Sequence, residues 1–139
     1  MRLQIRNPKS QIRWILLSLL VAGCGSSGPD RYNVSGMVTY AGQPIPKGEI
    51  VFEPDPQRGN QGPQGRAPIN GGKFASVEGR GVIAGPVIAR VFAYDGKFNP
   101  ESPNGSPLCR PYEFELELPA ADSTHDLAVP ASTPPRALR

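Results

Sequence analysis

The sequence predicts an all-β fold, an antiparallel sandwich of about seven short strands. Three observations predict it. Apolar and polar residues alternate along several runs of five to nine residues. The 16 Gly and 17 Pro fall mainly between those runs, where turns belong. No segment after residue 23 sustains the apolar period of a helix.

Tyr32 to Tyr40 alternates, with Tyr32, Val34, Gly36, Val38 and Tyr40 on one face. Gly42 suits a tight turn, and Pro44 and Pro46 hold an extended segment that pushes Ile45 inward. Glu49 to Glu53 resumes as a strand, and Pro54 to Arg66 is a long surface loop. Ala67-Pro68-Ile69 and Lys73 to Ser76 flank Asn70-Gly71-Gly72, which predicts a hairpin with an Asn-Gly turn. Gly79 to Gly85 is a loop. Pro86 to Tyr94 is apolar on both faces and predicts a central strand. Lys97 to Arg110 is a second long loop. Tyr112 to Leu118 alternates strictly, with Tyr112, Phe114, Leu116 and Leu118 inward. His125 to Val129 is a last short strand, and Ala131 to Arg139 predicts a disordered tail. The sum is a sandwich of immunoglobulin-like size over 32–130.

The first 23 residues differ from the rest. Arg2, Arg6, Lys9 and Arg13 make the start basic, and Trp14 to Ala22 is apolar apart from Ser18. Charge, apolar stretch and then small residues form the pattern of a secretory signal. The apolar run is too short for a bilayer-spanning helix, which needs roughly 20 residues. Val21-Ala22-Gly23-Cys24 then resembles the lipobox of bacterial lipoproteins. The resemblance implies cleavage between Gly23 and Cys24 and a diacylglyceryl group on the Cys24 sulfur, where the thiolate is the nucleophile. Two acyl chains anchor stably where one holds marginally, and a palmitate on the new amino terminus would add a third. The expected place is the cell envelope, at the inner or outer membrane and outside the cytoplasm. Residues 24–31 would be the lipidated Cys and a short flexible linker.

Processing would change the charge. The formal net charge is +3, but all 12 acidic residues and only 11 of the 15 basic ones follow residue 23, leaving −1. No nucleic-acid footprint survives. With Cys24 lipidated, Cys109 has no partner in the chain and is expected to pack rather than react.

Val34-x-Gly36-x-Val38-x-Tyr40-x-Gly42-x-Pro44-Ile45-x-x-Gly48-x-Ile50-x-Phe52 is similar to the opening of carboxypeptidase regulatory-like domains, which share a transthyretin-like (prealbumin-like) sandwich. Gly85-Pro86 and Pro111-Tyr112, each before a strand, resemble small bacterial lipoproteins that carry this domain alone. The resemblance covers roughly residues 32–130 and implies a non-catalytic accessory, adhesive or structural role.

Candidate chemistry is sparse. His125 is the single histidine, so a Ser-His-Asp arrangement would need it, with Asp122 or Asp126. As the opening residue of a terminal strand it is expected to be exposed and non-catalytic. The chain also lacks the His, Arg and Tyr-Arg-Gly-Ser features of the transthyretin-like purine-pathway hydrolases. Glu113, Glu115 and Glu117 line one strand face and suggest either a cation patch or a solvated face balanced by Arg90 or Lys73. Glu53, Asp55 and Asn60 offer oxygen atoms but lack EF-hand spacing. Gly79-x-Gly81-x-x-x-Gly85 resembles a phosphate loop, without the Lys-Ser/Thr pair or a following helix. The sequence therefore assigns no catalytic residue, metal or cofactor. It points to a structural or interaction module for an envelope protein or glycan, with loops 54–66 and 97–110 as contact surfaces. The alternative is a small-ligand binder with a pocket lined by Tyr94, Tyr112 or Phe98. An enzyme has the least support.

Overall fold

Alternation decides which side of each strand is buried. The computed structural model describes residue 25 and residues 28–131. Gly23, Cys24 and the segment before them lie outside the described residues, as do residues 132–139. The fold is all-β: an antiparallel sheet curls into a sandwich-like half-barrel. Its strands are β1 (Val34–Tyr40), β2 (Gln43–Pro44), β3 (Lys47–Pro54), β4 (Gly65–Asn70), β5 (Lys73–Ala75), β6 (Gly85–Tyr94), β7 (Tyr112–Leu118), β8 (Ser123–Thr124) and β9 (Leu127–Val129). The path across the sheet is β2-β1-β5-β4-β3-β6-β7, with β8 and β9 laid on β1.

The inner face carries the core. Ile50 and Phe52 of β3, Ala67 and Ile69 of β4, Phe74 of β5 and Val87, Ala89, Val91 and Ala93 of β6 are buried together. Burying each large aliphatic or aromatic side chain contributes about 1.5–3 kcal/mol. Ile45 is fully buried, as its flanking prolines predict. Tyr112, Phe114, Leu116 and Leu118 face the same side. On β6 the opposite face holds Ile88, Arg90, Phe92 and Tyr94, all half-covered. The strand is interior to the sheet, between β3 and β7, yet buries only one face fully.

Two turns are built from left-handed backbone. The β4–β5 turn falls on Gly71 and Gly72, at φ 55° and 79°, while Asn70 pairs with Lys73. The expected Asn-Gly turn is therefore shifted one residue, because two consecutive glycines supply both positive φ angles of a two-residue hairpin. Ala41 and Gly42 make the equivalent turn between β1 and β2.

The chain's last strand departs from the antiparallel expectation. β8 and β9 run parallel to β1 in one register, Val34 opposite Ser123 and Val38 opposite Leu127. This placement buries Leu127 and Val129 against the core beside Val38. The expected strand 125–129 begins only at Leu127; His125 and Asp126 fall in the break between β8 and β9, alongside Gly36 at φ 155°. The Met37 N–H donates to Asp126 Oδ1 at 3.1 Å. A Cβ on Gly36 would fall onto the His125 carbonyl, far inside van der Waals contact. Gly36→Ala is therefore expected to lower unfolding free energy by about 2 kcal/mol or more. Urea denaturation checks this, and an unchanged midpoint would refute the close approach.

Candidate functional site

His125 lies at the parallel seam. Its Nε2 is 3.0 Å from Ser123 Oγ. The two carboxylates that could orient it are engaged elsewhere: Asp122 accepts from the Asn33 N–H at 2.7 Å, and Asp126 from the Met37 N–H. Both aspartates pin the edge of β1. The structure thus brings a serine and the histidine together and gives the acids a backbone role, which residue types alone do not reveal.

The acidic face of β7 is balanced from neighbouring strands. Arg90 on β6 sits directly opposite Glu113. Its guanidinium bridges Glu53 at 3.1 Å and Glu113 at 2.8 Å. Arg58 approaches Glu117 at 4.0 Å. Lys73 stands on β5, four strands away, and plays no part. These part-exposed pairs are worth under about 1 kcal/mol each, but they cover Val51, which is 7% exposed on the outer face.

Glu53, Asp55 and Asn60 do not converge as ligands. Glu53 belongs to Arg90. Asp55 is the one buried charged residue among those described. It caps a 3₁₀ turn, Pro56–Arg58, through the Gln57 N–H and holds Arg58 Nε at 2.7 Å. Asn60 Nδ2 donates to the Ala84 and Pro86 carbonyls at 3.1 and 2.8 Å. The loop expected as a free surface is thus tied to the start of β6. Among the described residues, no group of three His, Cys, Asp or Glu has the arrangement of a metal site.

The aromatic pocket does not form. Tyr112 lies on the inner face, edge-on to Phe114 with ring centroids 4.9 Å apart. Tyr94 alternates with buried Ala93 and so faces outward, and Phe98 is 74% exposed in its loop. That loop is ordered around Asp95, whose Oδ1 accepts from the Lys97 and Ser106 N–H groups. Cys109, at the end of the loop, is buried in the core, and burial pushes its thiol pKa up. It packs in the core.

The sequence did not single out a cleft on the rim. A cleft of about 600 Å³ lies where residue 31 enters the domain, lined by Arg31, Arg66, Arg80, Glu49, Pro68 and Val77 among others. Arg31 Nη1 donates to the Gly81 carbonyl at 3.0 Å, and Arg66 pairs with Glu49 at 3.2 Å. The loop carrying Arg80 is held by the Tyr32–Val82 bridge, with both N–H groups donating at 2.8 and 2.9 Å. Only the spacing of its glycines was visible beforehand. A second, shallower cleft of about 620 Å³ lies over Met37, Lys73 and Phe74.

Compared with known proteins, the chain matches no family model and no curated sequence.

The hydrogen bond from Arg58 holds the Asp55 carboxyl below its ordinary range. A lowered folded-state pKa contributes stability above the unfolded value of 3.8, and that stability is lost as pH falls through the folded value. Asp55→Asn is expected to be less stable than the parent at neutral pH, with the gap closing below about pH 4. Urea midpoints across pH 2–7 check this, and a gap independent of pH would refute the ion pair's role.

Proposed function

We infer that this chain is a lipid-anchored protein of the bacterial cell envelope whose β-sandwich has a structural or interaction role without catalysis. The observation that carries this reading is the run Val21-Ala22-Gly23-Cys24 after a basic and then apolar segment. In this reading Cys24 bears the lipid, cleavage falls after Gly23, and the domain resembles carboxypeptidase regulatory-like domains of transthyretin-like type. The glycine and aliphatic pattern from Val34 to Phe52 supports that kinship.

The geometry is compatible with a short tether. Among the described residues Tyr32 is the first whose backbone is bridged to the domain, opposite Val82 in the loop before β6, and the eight residues from Cys24 span at most about 28 Å. A domain so held works close to the bilayer. The braced loop 97–110 presents exposed Phe98 and is the surface best suited to an envelope protein or glycan. The engagement of Asp122 and Asp126 by backbone groups supports a non-catalytic reading of His125. Among the described residues no helix is long and apolar enough to cross a membrane.

Expression with a radiolabelled fatty acid tests the anchor. The parent chain is expected to take up label and fractionate with membranes after cleavage before Cys24. Cys24→Ala is expected to lose the label and the processing. A Cys24→Ala chain that is still labelled and still processed would overturn the reading.

A further inference from the structure

Charge on this domain is spent unevenly. Among the described residues, Arg58, Arg66 and Arg90 have carboxylate partners within 4.0 Å. Arg31, Arg80 and Arg110 have none, and two of these three line the cleft beside the chain's entry. That cleft carries three guanidinium groups against the single carboxylate of Glu49, a local charge of +2. Residues 24–139 together carry −1. Glu78 neighbours the site in sequence but does not line it. Like charges gathered without partners are costly unless a counter-charge binds between them.

Two further features shape the ligand. The Arg31 side chain is positioned by its bond to the Gly81 carbonyl and the backbone of the Arg80 loop by the Tyr32–Val82 bridge, which lowers the ordering required when an anion arrives. Pro68 and Val77 give the cleft an apolar floor, with Val77 46% exposed. Three guanidinium groups lining one cleft suit a tetrahedral oxyanion better than a carboxylate, which offers two oxygens and one charge. A phosphate monoester carries −1.5 to −2 at neutral pH, which matches the local +2.

We propose that the Arg31–Arg66–Arg80 cleft is a recognition site for the phosphate group of an organic phosphate, with Pro68 and Val77 receiving the adjoining carbon atoms. The phosphate is that of a soluble ester or of a lipid headgroup. The site stands independently of the anchor, since its residues all lie in the sandwich or at its entry. Arg80 is the clean position to test, because its side chain makes no hydrogen bond within the described structure whereas Arg31 also braces Gly81.

The full chain in neutral maltoside micelles is titrated with glycerol 3-phosphate. In separate samples the micelles are doped with phosphatidic acid, whose headgroup is a phosphate monoester, or with phosphate-free diacylglycerol. Arginine Nε–H resonances are followed by NMR. Saturable shifts of Arg31, Arg66 and Arg80 with glycerol 3-phosphate support a soluble ester. Shifts with phosphatidic acid alone support a headgroup. In either case Arg80→Gln is expected to weaken binding about tenfold, equivalent to about 1.4 kcal/mol, while Arg110→Gln leaves it unchanged. Arg80→Lys, which keeps the charge and loses the fork, is expected to fall between. An unchanged melting temperature in Arg80→Gln separates lost binding from lost folding. No shift with any phosphate, equal shifts with diacylglycerol, or binding indifferent to Arg80→Gln would overturn the proposal.

Discussion

Eight consecutive residue pairs join β3 to β6, from Lys47 opposite Tyr94 to Pro54 opposite Val87. The rest of the sheet is hung on this ladder. Because strand side chains alternate, its register fixes which residues enter the core. Ile50 and Phe52 meet Val91 and Ala89 inside, while Glu49, Val51 and Glu53 lie outside with Phe92, Arg90 and Ile88. A slip of β3 by one residue would put Glu49 and Glu53 on the core face and Ile50 and Phe52 on the solvent face. β4 then adds to the free edge of β3 and β7 to that of β6. The outer charges are consequences of the same register: Arg90 reaches Glu53 on one side and Glu113 on the other because both neighbours are fixed by backbone pairing.

The ends of the sheet are closed by polar side chains acting on backbone. At the β1 edge, Asp122 and Asp126 accept N–H groups that the interrupted parallel ladder leaves over. At the other end, Asp55, Arg58 and Asn60 satisfy the turn after β3 and the carbonyls around the start of β6. No buried side-chain nitrogen or oxygen among the described residues is left without a partner. Most residues that looked chemically suggestive are used up in this way, since an unpaired buried polar group costs more than a typical hydrogen bond contributes. What is left over is positive charge at the chain's entry, together with an exposed phenylalanine on a braced loop.

These two leftovers bear on function from different directions. A lipid on Cys24 would bring the entry side near the membrane through a short linker, and the arginine cleft lies on that side. Phe98 belongs to the loop after β6, which Asp95 stiffens through two N–H groups. Among the described residues Ser123 and His125 meet, while Asp122 and Asp126 accept backbone N–H groups; the cationic cleft and the apolar loop tip are separate surfaces.

Much of the fold was legible in the sequence because period-two alternation is local. β7 falls where strict alternation placed it, and Ile45 is buried where two prolines hold its backbone extended. The turn at Gly71-Gly72 was misplaced by one residue, since Asn70-Gly71 and Gly71-Gly72 satisfy the same rule and only the pairing of Asn70 with Lys73 decides between them. The parallel course of the last strand was invisible, because a few residues of alternating sequence carry no information about direction. The candidate site was less legible still. Arg31 and Arg80 are 49 residues apart, and the bridge between Tyr32 and Val82, with the Arg31–Gly81 bond beside it, brings them to one cleft. By itself the sequence determined the all-β class and the inward face of its main strands, which follow from each residue's neighbours along the chain. Tertiary structure alone decided strand direction, the partners of each charge and the position of the cleft, because these depend on residues that meet only when the sheet closes.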